Sequence, residues 1–160
     1  MKDSALSANP SFRIRIAVPQ DAERINGLFM EMLRTIYHKQ DVKGYEDGYL
    51  AQYFTGGENR IYVAEEDEVV AFLSVQVHHE DRDYIYLDDF SVTEACRGRG
   101  IGSKLMQAAA RYAEEIGIPG ICLHVEKTNT SAFRFYERLG YSVYRDDGHR
   151  YLMARDIPSE

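Results

Sequence analysis

The sequence predicts a single α/β domain, an α+β arrangement on a mixed sheet, and three observations lead there. Short β runs alternate with amphipathic helical stretches in the order β-α-α-β-β-β-α-β-α-β-β. The length, 160 residues, is that of one domain, and no linker, repeat or low-complexity stretch divides it. The composition, 44% hydrophobic and 28% charged, is that of a globular chain able to bury a core without disulfides or metal.

Residues 1–11, polar and small with Pro10, read as a flexible tail preceding a domain over 12–160. Phe12 to Ile16 alternates apolar and basic residues, a strand signature. Pro19 and Asp21 open a helix in which Ile25, Leu28, Phe29, Met32, Leu33 and Ile36 share one face. Gly44 to Phe54 is expected as a second, shorter helix, ended by Gly56-Gly57. Arg60–Glu65 and Val69–Val77 flank the acidic turn Glu66-Asp67-Glu68 and predict an antiparallel hairpin. Asp83–Val92 is a further strand. From Ile101 the period becomes helical through Leu105, Ala108, Ala109, Tyr112 and Ile116, closed by Gly117. Ile121–Val125 predicts a buried strand and Thr130–Leu139 a helix stopped by Gly140. Tyr141–Tyr144 and Arg150–Ala154 are the last β runs, around the turn Asp146-Asp147-Gly148.

Bulk properties narrow the function classes. A net charge of −7 and a pI near 5.3 repel polyanions, so no nucleic-acid partner is expected. No apolar run reaches membrane-spanning length and Met1 to Pro10 lacks a secretory apolar core, so no membrane partner is expected and the cytoplasm is the default location. Cys96 and Cys122 suit a reducing compartment, and no cysteine–histidine cluster has metal-ligand spacing, so no metal is expected.

The most informative stretch is Cys96-Arg97-Gly98-Arg99-Gly100-Ile101-Gly102-Ser103, between a predicted strand and a predicted helix. Glycines there let the backbone approach a ligand, and exposed N–H groups at the helix start favour an anion. Arg97 and Arg99 add cations, and pyrophosphate is the natural guest. The dinucleotide fingerprint fails at Ser103, where it needs glycine, and the Walker pattern fails because Ser103 separates Gly102 from Lys104. R-x-x-G-x-G, as Arg97, Gly100 and Gly102, does fit.

The run Val92-x4-Arg97-Gly98-x-Gly100-Ile101-Gly102 resembles the acetyl-CoA pyrophosphate loop of the GNAT superfamily of N-acetyltransferases. Downstream, Asn129-x2-Ala132-x2-Phe135-Tyr136-x3-Gly140-Tyr141 is similar to that family's following motif. The resemblance implies a GNAT-type domain that moves acetyl from acetyl-CoA to an amine, by direct transfer in a ternary complex. It implies cofactor contacts from Arg97, Gly98, Arg99, Gly100, Ile101, Gly102 and Ser103. It further implies a bulged strand whose main-chain groups at Phe90 and Val92 hold the pantetheine arm and acetyl oxygen, and contacts from Asn129 to the pantetheine amides, although an N-cap role for Asn129 reads the same.

Amide formation needs the amine deprotonated. An alkyl amine with pKa near 10 is roughly 0.1% neutral at pH 7, a handicap of about 4 kcal/mol. Asp88 and Asp89 stand where the family often carries an acidic pair. Alternation along a strand predicts that they face opposite ways, so one serves: Asp88 as base through a water, Asp89 positioning the acceptor or the strand. A structural role for either remains open at this point. Glu126 and His124 are weaker base candidates, His124 being expected as a hydrogen-bonded core residue of a buried strand. Tyr136 matches the family tyrosine that protonates the departing thiolate, and also contacts the cofactor.

The acceptor is expected to be a small-molecule primary amine, polyamines and other cationic amines included. In the family it is gripped by segments equivalent to 29–54 and 144–150, which here hold Tyr37, His38, Tyr45, Tyr49, Tyr53, Asp146, Asp147 and His149. Two alternatives stand beside this: an enzyme acetylating protein lysines or N-termini, and a non-catalytic acyl-CoA-binding sensor. A homodimer is implied by family habit alone.

Overall fold

The apolar residues of the predicted β runs set the architecture, a seven-stranded sheet with helices on both faces. A computed structural model describes residues 11–158, so the tail expected over 1–11 lies, except for Ser11, outside the described residues. The strands are β1 (Arg13–Ile16), β2 (Arg60–Glu65), β3 (Val69–His79), β4 (Asp83–Val92), β5 (Gly120–Glu126), β6 (Ser142–Asp146) and β7 (Arg150–Asp156). They lie in the order β1-β2-β3-β4-β5-β7-β6. Only β4 and β5 pair in parallel; every other neighbouring pair is antiparallel. The mixed α/β class and the succession of seven strands along the chain match the sequence-based expectation.

Helix α1 (Ala22–Tyr37) seats Ile25 and Leu28, both fully buried, against Ile61, Val63 and Phe72 on one face of the sheet. Removing either side chain to alanine would cost about 2–5 kcal/mol. Its start is fixed by Asp21, which accepts Arg15 Nη1 at 2.7 Å, Arg15 Nη2 at 2.9 Å and the Val18 N–H at 2.8 Å. That bidentate pair holds the Asp21 carboxyl below its usual range. Helices α2 (Ile101–Ile116) and α3 (Thr130–Arg138) cover the opposite face, where Leu105, Met106, Ala109 and Tyr136 pack on Leu73, Ile85, Leu87 and Leu123.

The second helix expected over 44–54 is corrected: only Tyr49–Tyr53 winds, as a 3₁₀ turn, after an irregular stretch. Gly48 adopts φ 82°, outside any right-handed helix. Gly44 lies so close to α1 that a Cβ there would sit 2.3 Å from Asn26 Oδ1, the oxygen that accepts the Tyr45 N–H at 2.8 Å. The segment is therefore clipped to α1 by Asn26 instead of closing its own turns.

β5 is likewise less enclosed than its apolar run predicts. Ile121, Leu123 and Val125 are buried against α2 and α3, while Cys122 and His124 face a cleft on the other side. Both cysteines are free thiols. Among the described residues no helix is long and apolar enough to cross a membrane.

Candidate active site

The site forms where β4 stops pairing with β5. The parallel ladder runs only from Ile85 opposite Ile121 to Leu87 opposite Leu123; beyond that β5 pairs with β7 alone and the two strands part. On the other edge of β4, Leu73 stands opposite Phe90 and Val75 opposite Leu87, so Ser74 faces both Asp88 and Asp89. This is a β-bulge with one extra residue on β4.

The bulge corrects the expectation that the two carboxylates face opposite ways. Leu87 and Phe90 both pack toward α2 and α3. The inserted residue therefore lets both Asp88 and Asp89 turn to the face carrying the 44–54 segment. There, Tyr45 Oη donates to Asp89 Oδ2 and Tyr49 Oη to Asp88 Oδ2, each at 2.7 Å. The Tyr45 and Tyr49 rings stack 5.0 Å apart, and Phe29 of α1 stacks on Tyr45 at 3.9 Å. Gln76 donates to Tyr53 Oη at 2.9 Å and reaches Asp88 at 3.5 Å. Burial first, and the neighbouring Asp88 charge second, push the Asp89 carboxyl up to about 6, against the opposing pull of the Tyr45 hydrogen bond.

Asp88, Asp89, Phe90, Leu123, His124 and Tyr136 line one chamber of about 160 Å³. Tyr136 enters it from α3, 9% exposed, edge-on to Phe135 and Tyr141. Burial raises its phenol to about 12, which keeps the hydroxyl protonated and able to donate.

A larger cleft of about 620 Å³ lies beside the chamber, over Tyr84, Tyr86, Cys122, Tyr144 and Leu152, and His124 borders both. The ring is held at both nitrogens: Tyr86 Oη lies 2.7 Å from Nδ1 and Asp147 Oδ2 2.8 Å from Nε2. Arg145 Nε, 2.6 Å from Asp147 Oδ1, and then His124 hold the Asp147 carboxyl far below its usual range. An ionised Asp147 only accepts, so Nε2 carries a proton and donates to it, while Nδ1 shares a hydrogen bond with the Tyr86 hydroxyl. Sequence reasoning missed this chain, because its members come from three separate strands and a turn. Tyr86 stood only within a β-rich run, and nothing local marked it.

Of the acceptor-side residues, Tyr45 and Tyr49 bond the two carboxylates, Tyr53 accepts from Gln76, and Asp147 bonds His124. Tyr37 is 62% exposed, Asp146 pairs with Lys127 at 2.8 Å, and His149 pairs with Glu126 at 3.0 Å, away from the carboxylates. Glu126 is thereby engaged at the surface.

The glycine-rich loop follows a 3₁₀ turn, Glu94–Cys96, secured by Glu31 of α1, which accepts Thr93 Oγ1 at 3.0 Å and the Glu94 N–H at 3.2 Å. Gly98 and Gly100 adopt φ 78° and 83°, left-handed conformations that turn the chain into α2. A Cβ on Gly102 would lie 2.9 Å from Cζ of Phe90, whose ring stacks on Phe135. The first turn of α2 thus rests directly on the bulged strand, with free N–H groups at its start. A glycine cradle at a helix N-terminus, packed against the strand that parts from β5, fits a pyrophosphate with an extended thioester arm. Asn129 Oδ1 accepts the Ala132 N–H at 3.1 Å as the N-cap of α3, leaving its amide NH₂ to donate elsewhere. Among the described residues no group of three or more His, Cys, Asp or Glu side chains could hold a metal ion.

Comparison with known proteins agrees with this geometry. The profile of the Acetyltransferase (GNAT) family matches residues 29–141. YwnH of Bacillus subtilis, whose provisional name is phosphinothricin acetyltransferase, is 26% identical across 90% of this chain and 98% of its own length. The mycothiol acetyltransferase of Corynebacterium efficiens is 34% identical over 83 residues, 52% of this chain but 27% of that protein. In fold, the PaiA N-acetyltransferase of Thermoplasma acidophilum, solved with coenzyme A, superposes with a TM-score of 0.75 at 18% identity, covering 92% of this chain and 99% of that one. A profile match over most of the chain, joined to the split β4–β5 edge and its glycine cradle, places this protein in the GNAT family, as an acetyl-CoA-dependent N-acetyltransferase.

Proposed function

We propose that residues 12–160 act as one domain that acetylates a primary amine drawn as its ammonium to the Asp88–Asp89 pair. The observation that supports this most is the shared chamber, in which both carboxylates, Phe90 and Tyr136 meet at the parting of β4 and β5. Acetyl-CoA supplies the activated acetyl thioester. Main-chain N–H groups over Gly98–Ser103 hold its pyrophosphate, main-chain groups of Phe90 and Val92 hold the arm and the acetyl oxygen, and Asn129 donates its free amide.

Asp88 balances the ammonium charge and, through a water, takes its proton; Asp89 fixes the bulge through Tyr45. Tyr136, protonated at neutral pH, donates to the leaving sulfur. A second proton acceptor is favoured by the bonded chain at the chamber's border: Nδ1 of His124 can receive a proton through the Tyr86 hydroxyl. Asp88→Asn and His124→Gln, each assayed from pH 6 to 10, separate the two routes. The variant lacking the true base regains rate at high pH, where the amine is neutral without help.

For the acceptor, the acidic pair roofed by Tyr45 and Tyr49 favours a small cationic amine, polyamines included. The 620 Å³ cleft favours a peptide terminus as the second reading, since a compact amine leaves most of it empty. The proposal extends to a cytoplasmic setting and to a homodimer joined through edge strand β6, where Val143 and Tyr144 are exposed. Coenzyme A release over an amine panel that includes polyamines and short peptides tests the acceptor class. Turnover confined to peptides would remove the small-amine reading.

A further inference from the structure

Both arginines of the glycine-rich loop are engaged by groups of the protein itself. Arg97 Nε donates to the Val92 carbonyl at 3.0 Å. Arg99 clamps Glu66 in the β2–β3 turn, with Nη1 at 3.2 Å from Oε1 and Nη2 on Oε2. The same carboxylate accepts Ser11 Oγ at 2.7 Å and the Cys96 thiol at 3.5 Å, and Arg99 Nη2 also reaches Ser11 Oγ at 2.6 Å. Glu66 therefore joins three segments: the approach to β1, the hairpin turn and both ends of the Cys96–Arg99 stretch. The turn is itself closed by a Glu66 N–H to Glu68 carbonyl bond at 2.9 Å.

We propose that Glu66 is a positioning residue for cofactor binding: it holds Arg99, and through it the loop, in the conformation whose main-chain N–H groups receive the pyrophosphate. This rests on the reading of that loop as the pyrophosphate site. Arg99 is then an anchor whose charge is matched by Glu66, and the phosphate contacts fall to the backbone. The loop needs such an anchor because Gly98 and Gly100 leave it little conformational preference of its own. The competing arrangement, in which Arg99 itself binds phosphate and Glu66 holds it back, predicts the opposite sign for the same substitution. Removing Glu66 would then free a cation and tighten binding.

The test is calorimetric titration of the full chain with coenzyme A for wild type, Glu66→Gln, Arg99→Gln and the double variant, with kcat at saturating acetyl-CoA for each. The expected result is a 5- to 20-fold weaker Kd in both single variants, no further loss in the double, and, for Glu66→Gln, kcat within about twofold of wild type. Tighter binding by Glu66→Gln, an unchanged Kd, or additive losses in the double variant would each overturn the inference. Thermal melts on the same samples check folding, and Glu66→Asp is expected to restore part of the affinity. Failure of the wild type to bind coenzyme A would instead strike the pyrophosphate reading itself.

Discussion

The Tyr45 hydroxyl donates to Asp89 Oδ2 at 2.7 Å, joining the acceptor-side segment to the bulge of β4. Because burial holds Asp89 near pH 6, the full double charge of the carboxylate pair exists only above that pH. The rate is expected to fall as pH drops through about 6. Tyr45→Phe removes the one bond that lowers this pKa, and a hydrogen bond to a charged group contributes about 1.5–3 kcal/mol. The acid limb of kcat/KM should therefore move up by about 1–2 pH units. A limb that stays in place would show that Asp89 does not govern it.

The same shift has a stability counterpart. A carboxyl whose folded pKa is raised favours the protonated fold, so its stabilising effect is present below its ordinary value and lost as pH climbs through about 6. Asp89→Asn should flatten that part of the stability profile and gain on the order of 2 kcal/mol over wild type at pH 8. Melts at pH 4 and pH 8 give the comparison, and an equal difference at both would contradict it.

Asp88→Asn is expected to lower kcat/KM for the amine about 10- to 100-fold at pH 7, with the deficit narrowing toward pH 10. A deficit independent of pH would assign Asp88 to holding the acceptor and leave proton removal to Tyr86 and His124.

Tyr141 is 3% exposed, and its hydroxyl alone among the described buried side-chain groups lacks a partner. An unsatisfied buried donor costs about 1–3 kcal/mol. Tyr141→Phe should therefore be neutral to stabilising in a denaturant titration; a loss above about 1 kcal/mol would mean the hydroxyl is engaged.

Much of this arrangement was legible in the sequence because periodicity and glycine placement act locally. Gly117 ends α2 at φ 74°, and the loop between Cys96 and Ser103 opens α2 where its glycines predict. What the sequence did not show depends on contacts between distant segments. The bulge that turns Asp89 to the side of Asp88 is a property of register against β3, invisible in strand alternation. The failed helix over 44–54 reflects Asn26 of α1 capturing the Tyr45 N–H. His124 looked like core because its neighbours are apolar, yet no described helix covers that face of β5, and Asp147 and Tyr86 satisfy its ring.

We propose that this chain moves acetyl to an amine with Tyr136 as the acid. The most direct test is release of coenzyme A thiol from acetyl-CoA over a panel of polyamines, aminoglycosides, amino acids and peptides, run with wild type and Tyr136→Phe. Amine-dependent release by wild type is expected, with a roughly 100-fold lower kcat in Tyr136→Phe and acetyl-CoA affinity within about twofold. Equal turnover by the two proteins would remove Tyr136 from the chemistry, and binding of acetyl-CoA without release on any amine would contradict the proposed catalytic site.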